Sequence, residues 1–121
     1  MANTFKVFTI ADVAIDTGTY STIYTCAGST TGIVIGLNIC NKTDADKDVT
    51  VKLSSDTAGR TADNDAANEA VTLVNEVIIP ANTTLEVLSG QKIVIEATDV
   101  ITIGAEAATT LDATLSMMEI T

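Results

Sequence analysis

The chain has no histidine, no tryptophan and one proline, with only two cysteines, four aromatic residues and six basic residues among 121. Without histidine, the commonest general base and metal ligand is missing, and Ser-His-Asp and Cys-His catalytic arrangements cannot be built. Two cysteines are too few for a structural zinc site, and no glycine-rich phosphate loop with a following lysine occurs. Sixteen acidic residues leave paired carboxylates formally possible. Two Phe and two Tyr hardly furnish the aromatic groove in which such pairs usually work, and Tyr20 and Tyr24 are too few and too strand-like for a carbohydrate platform. The expectation is therefore no enzymatic activity, no cofactor, and no catalytic, cofactor-binding or metal residues.

The shortage of basic residues has its own consequences. A net charge of −10 repels phosphate backbones and anionic lipid surfaces, which argues against nucleic acid and membrane as partners. No apolar run approaches the ~20 residues of a spanning helix. The segment Met1–Lys6 lacks the basic start and apolar stretch of a secretory signal, so synthesis in a cytoplasm and a soluble product are expected.

What is present is aliphatic and periodic. Hydrophobic residues make up 46% of the sequence, almost all Val, Ile, Leu and Ala, and a chain of this length can bury about two-thirds of its unfolded surface. One domain over residues 1–121, with an aliphatic core, is the expectation. Ile33, Ile35, Leu37 and Ile39 alternate through Gly32–Asn41, which predicts a strand burying that set on one face and carrying Val34, Gly36, Asn38 and Cys40 on the other. Val49, Val51 and Leu53 alternate with Thr50, Lys52 and Ser54 in a second strand. A hairpin is expected between the two, with its turn in Asn41–Asp48. Further strands are predicted at Phe5–Ile10, Tyr20–Cys26, Val71–Ile79, Thr84–Leu88, Lys92–Glu96, Val100–Ile103 and Ala113–Ile120, with a turn at Asp16-Thr17-Gly18. Short strands between turn signals, and no helix-period segment of a dozen residues, predict an all-β fold. The expected architecture is an antiparallel β-sandwich, jelly-roll or Ig-like, of about eight to nine strands.

Several local features invite a functional reading. Ser54–Glu69 has no large apolar residue and reads as a long loop, of the length usually found to be functional or disordered, with a short helical turn possible at Asp63–Ala70. Asp44-Ala45-Asp46-Lys47-Asp48 resembles the start of a calcium loop. Val49 and Ser55 stand where an EF-hand needs glycine and a bidentate acid, so a solvated turn is the expectation. Asp56, Asp63, Asn64 and Asp65 form a second oxygen-rich set, read as solubilising. Asn41-Lys42-Thr43 and Asn82-Thr83-Thr84 match the glycosylation pattern, which carries no weight without secretion. Cys26 beside a turn and Cys40 at the far end of the next strand fall roughly 26 Å apart, well beyond the ~7 Å that a disulfide tolerates. Two free, buried thiols are expected. Val77–Ile79, Ile93–Ile95 and Val100–Ile103 have little charge on either face, so either the sandwich or a neighbouring subunit covers them. The apolar end, Leu115–Thr121, predicts a final strand docked in a sheet.

The succession Tyr24–Thr31 (YTCAGSTT), Val34–Asn41 (VIGLNICN), Ile79–Val87 (IPANTTLEV), Gln91–Asp99 (QKIVIEATD) and Leu111–Thr121 (LDATLSMMEIT) resembles the small virion structural proteins of tailed bacteriophages, especially marine cyanophages. It spans most of the chain and rests on strand and turn positions. Cys26 stands where the family usually has a small residue or proline, and 54–68 is longer and more polar. The resemblance implies a non-enzymatic virion component made in the host cytoplasm, a homo-oligomer whose partners are other virion proteins: the major capsid protein, or tail and neck proteins. Capsid decoration or cement is the leading role it implies. A tail, neck or fibre component, or a host-surface binding module, is the alternative.

Overall fold

Side chains alternating in polarity along an extended chain can bury only one face of it, so strands of this kind must stack in layers. Among the described residues nine strands do so: β1 (Asn3–Ile10), β2 (Ser21–Thr25), β3 (Thr31–Asn41), β4 (Lys47–Ser54), β5 (Ala70–Ile79), β6 (Thr84–Glu86), β7 (Ile93–Ile95), β8 (Val100–Ala105) and β9 (Leu111–Ile120). The computed structural model describes residues 2–15, 20–55, 70–88 and 90–121, and none of these is helical. The Asp16-Thr17-Gly18 turn and most of the expected Ser54–Glu69 loop, including Asp56, Asp63, Asn64 and Asp65, lie outside the described residues. Ser54 itself closes β4 and Ala70 opens β5.

The strands form two packed sheets, and every ladder between them is antiparallel. Sheet A runs β1-β9-β3-β6, with β7 also on β3; sheet B runs β2-β8-β4-β5. Short β6 and β7 lie end to end along β3, opposite Asn38–Cys40 and Gly32–Val34. Counted as one interrupted edge, they leave eight strands in the orders 1-8-3-6 and 2-7-4-5. That is the jelly-roll order, which the sequence did not separate from an Ig-like one.

Between the sheets lies the expected aliphatic core. Leu111, Ala113, Leu115 and Met117 of β9 face Val49 and Val51 of β4 and Ile101 and Ile103 of β8, all almost without solvent contact. Each large aliphatic side chain so placed contributes about 1.5–3 kcal/mol. The C-terminal strand is central in sheet A, flanked by β1 and β3. The aromatic content adds an edge-to-face pair, Phe8 and Tyr24, with centroids 5.0 Å apart.

The structure corrects two expectations about the strands, besides the expected burial of Cys40. The first concerns the inward set Ile33, Ile35, Leu37 and Ile39, of which only Leu37 and Ile39 point into the core. Val34 pairs with Met117 but Gly36 pairs with Ser116, so Ile35 is an extra residue in β3, a β-bulge. N-terminal to the bulge the faces exchange: Gly32 and Val34 are buried and Ile35 is 44% exposed. The physical reason lies in what occupies the core there. A Cβ at Gly32 would sit 2.6 Å from Met117 Cε and 3.3 Å from Tyr24 Oη. Uninterrupted alternation would aim Ile33 into that crowded space, whereas the bulge presents the one residue with no side chain.

The second correction concerns the expected hairpin. β3 lies in sheet A and β4 in sheet B, and they do not pair. The 42–46 connection arches over the end of the sandwich, because both strands bury a face and the faces meet across the core. Asn41 ties this corner. Its side chain is fully buried, and Nδ2 donates to the Ala45 and Ile79 carbonyls at 2.8 and 2.9 Å while Oδ1 accepts from Thr43 N at 3.0 Å. Ile79 ends β5, so this one amide links sheet A to the edge strand of sheet B.

Both cysteines are free thiols. Cys26 is buried and donates to the Thr30 carbonyl at 3.3 Å. Cys40 is only half-buried, since Ile39 takes the inward position beside it.

Candidate interaction surface

Because β1, β9, β3 and β7 are in register, their outward side chains form rows across sheet A. Phe5 pairs with Met118, Met118 with Ile33, and Ile33 with Val94. This is a four-strand row of apolar side chains on the outside of the sandwich. Val7, opposite Ser116, extends it, and the bulge adds Ile35. Phe5 is 73% exposed, Val7 62% and Val94 59%. Beside them an open depression of about 330 Å³ is lined by Phe5, Lys6, Val7, Ile35, Ser116 and Met117. The outward positions from Phe5 to Val94 carry no formal charge. On a chain with sixteen acidic residues, the cost of leaving so much hydrocarbon in water has no return within the monomer.

Apart from Lys6, which borders the depression, the charges of these strands sit elsewhere. On the inward side of the same end, Glu119 accepts from the Tyr24 hydroxyl at 2.7 Å and pairs with Lys6 at 2.6 Å. Lys6 and the Tyr24 hydroxyl hold the Glu119 carboxyl below its ordinary value. Burial, then the Glu119 hydrogen bond, push Tyr24 well above the usual phenol range. At the opposite end Lys42 bonds Asp12 and Asp112, at 3.0 Å for the latter. The backbone N–H of Asp12 and the Lys42 ammonium lower Asp112 in turn.

The sign of the Glu119 shift fixes a pH dependence. A carboxyl whose folded pKa is depressed contributes stability above its unfolded value, and that contribution fades as pH falls through the folded one. Unfolding free energy is expected to drop below about pH 4.5, and to drop less steeply in Glu119→Gln. Urea midpoints measured for both proteins across that range check this.

The outer face of sheet B differs in kind. Thr22, Thr102, Lys52 and Thr72 form its cross-strand row, and Lys52 Nζ lies 4.6 Å above the Tyr20 ring. Its edge strand β5 carries two extra residues relative to β4, one near Asn75-Glu76 and one at Leu73. Glu76 has φ 47° there and donates its N–H to Thr50 Oγ1 at 3.1 Å. Bulges of this kind twist an edge away from strand-to-strand pairing.

The structure disperses the other features singled out in the sequence. Asp44 and Asp46 are exposed in the inter-sheet arch, and Asp46 accepts from Ala81 N at 3.1 Å. Asp48 N donates to Glu106 Oε1 at 2.7 Å. Among the described residues no three His, Cys, Asp or Glu converge as metal ligands would. Asn41 is sealed in the core and offers no acceptor amide for a glycan. Of the apolar tracts, Ile79, Ile95, Ile101 and Ile103 are buried while Ile78 is 63% exposed, so coverage alternates residue by residue. The alternation Phe5-Lys6-Val7 was the available sign of the outward row. It stayed ambiguous because Phe8 continues the apolar content on the inward face.

No family model matches the sequence, and no curated protein matches it. Among solved structures, one similar chain is described under the words "Bacillus endospore appendages form a novel family of disulfide-linked pili", with TM-score 0.52 and 14% identity over 99% of this chain and 88% of that one. A second belongs to infectious bursal disease virus, Gx strain, with TM-score 0.47 and 12% identity over 96% of this chain and 33% of that one. At 14% identity the first likeness is one of fold alone.

Proposed function

We propose that this protein is a non-enzymatic structural subunit of a tailed-phage virion, made in the host cytoplasm and assembled as an oligomer that decorates or cements the capsid. The observation that carries the structural part is the uncharged apolar row Phe5-Met118-Ile33-Val94 on the outside of sheet A, placed on an otherwise acidic chain. A surface of that composition works by being covered. The phage assignment is supported by the resemblance of the strand and turn segments, and a jelly-roll is a common capsid-type architecture without itself assigning function. Repetition on a symmetric lattice would turn modest individual contacts into avidity, and the −10 charge would keep free subunits apart until assembly. The polar, threonine-bearing face of sheet B would then look outward.

Cryo-electron microscopy of the purified virion tests this, with the sandwich fitted to the density. Repeating density over the capsid lattice is the expected result. Density confined to the neck, tail or fibres would replace decoration by an attachment role, and absence from the particle would remove the virion assignment.

A further inference from the structure

We infer that the outer face of sheet A is a two-fold docking surface for a second copy of this chain. The inference deepens the structural reading above by naming what covers the face, and it rests on that reading only for the face being an interface.

A two-fold contact places the same patch on both sides, so the patch must complement itself. This one does. Phe5 projects from β1 with 73% of its surface in solvent, and beside it lies the depression that Val7, Ile35 and Ser116 help to line. A two-fold axis passing midway between Phe5 and the depression sets the ring of one copy against the depression of the other, which at about 330 Å³ has room for a phenyl group.

Charge points the same way. Two chains of net charge −10 repel wherever their acids oppose. The outward positions from Phe5 through Met118 and Ile33 to Val94 hold no acid, and the nearby Glu119 carboxylate is turned inward onto Lys6 and Tyr24. Contact through this face therefore keeps like charges at the periphery, where salt screens them.

Size bounds the strength of the contact. About seven residues each of β1, β9 and β3 and the three residues of β7, with strands ~4.8 Å apart and ~3.3 Å per residue, make a face of roughly 380 Å². Pairing two such faces buries roughly 800 Å² in total, below the ~1,000 Å² of a stable specific interface and in the range of transient ones. The contact is accordingly weak to moderate in free solution. The bulged β5 edge, by contrast, is shaped against strand addition.

The test is sedimentation equilibrium of the purified full chain over a concentration series, for the wild type, Phe5→Asp, Val94→Asp and Ile78→Asp, with far-UV circular dichroism confirming that each is folded. The three positions are exposed, so the variants retain the sandwich. The expected result is a wild-type monomer–dimer equilibrium, weakened about thirtyfold or more by Phe5→Asp or Val94→Asp, as for central interface anchors, and unchanged by Ile78→Asp. A wild type that stays monomeric throughout overturns the inference. So does dimerisation lost with Ile78→Asp and kept with Phe5→Asp, which would move the contact to β5. Incorporation of a monomeric wild type into particles would leave the structural reading standing with another virion protein on the face, whereas absence from particles would remove the virion assignment whatever the dimer result.

Discussion

Leu115→Ala is expected to lower the unfolding free energy by about 2–5 kcal/mol, the range for emptying a leucine site in a packed core. Leu115 is fully buried in the middle of β9, opposite Phe8 of β1 and Leu37 of β3. Strands on both sides hold the backbone, so the site cannot collapse around the missing atoms and most of the void persists. Against a typical total of about 5–15 kcal/mol, the loss is large. Urea denaturation should show a lower midpoint with an unchanged slope, because the surface exposed on unfolding is nearly the same. Ser116→Ala, one residue along and outward-facing, should stay within about 0.5 kcal/mol of wild type. Equal effects at the two positions would contradict the assigned register of β9.

Asn41→Leu is expected to cost about 3 kcal/mol or more despite filling a similar space with an apolar side chain. The change removes the donor that satisfies the Ala45 and Ile79 carbonyls and the acceptor used by Thr43 N. Each buried polar group left without a partner costs about 1–3 kcal/mol. The loss falls on the junction between sheets, so hydrogen exchange should rise first in the 42–46 arch and at the end of β5. A variant as stable as wild type would show that the arch closes without this amide.

The sequence made the strands legible because each buries a face, and a period of two survives in any strand that does. All nine appear where alternation, β-branched and aromatic content and the bounding turn residues placed them, with end points shifted by a residue or two. The lack of histidine and the surplus of acids narrowed the chemistry before any fold was known. The exposed row on sheet A was less visible. Phe5, Met118, Ile33 and Val94 come from four strands far apart in the chain, and only pairing reveals that they adjoin.

The failures have one cause. A turn signal such as Asn41–Asp48 marks where the chain reverses, but not whether it reverses within a sheet or between sheets, since both need the same turn-forming residues. Ile33, Ile35, Leu37 and Ile39 form an unbroken alternation, and the sequence alone cannot show that Tyr24 and Met117, remote in the chain, already fill the space Ile33 would enter. By itself, then, the sequence determined the class of fold, the aliphatic core and the free thiols, each of which depends on local periodicity or composition. Only the tertiary structure decided the jelly-roll order, the bulge at Ile35 and the outward apolar row, because these follow from which distant strands become neighbours and from the volume left between them.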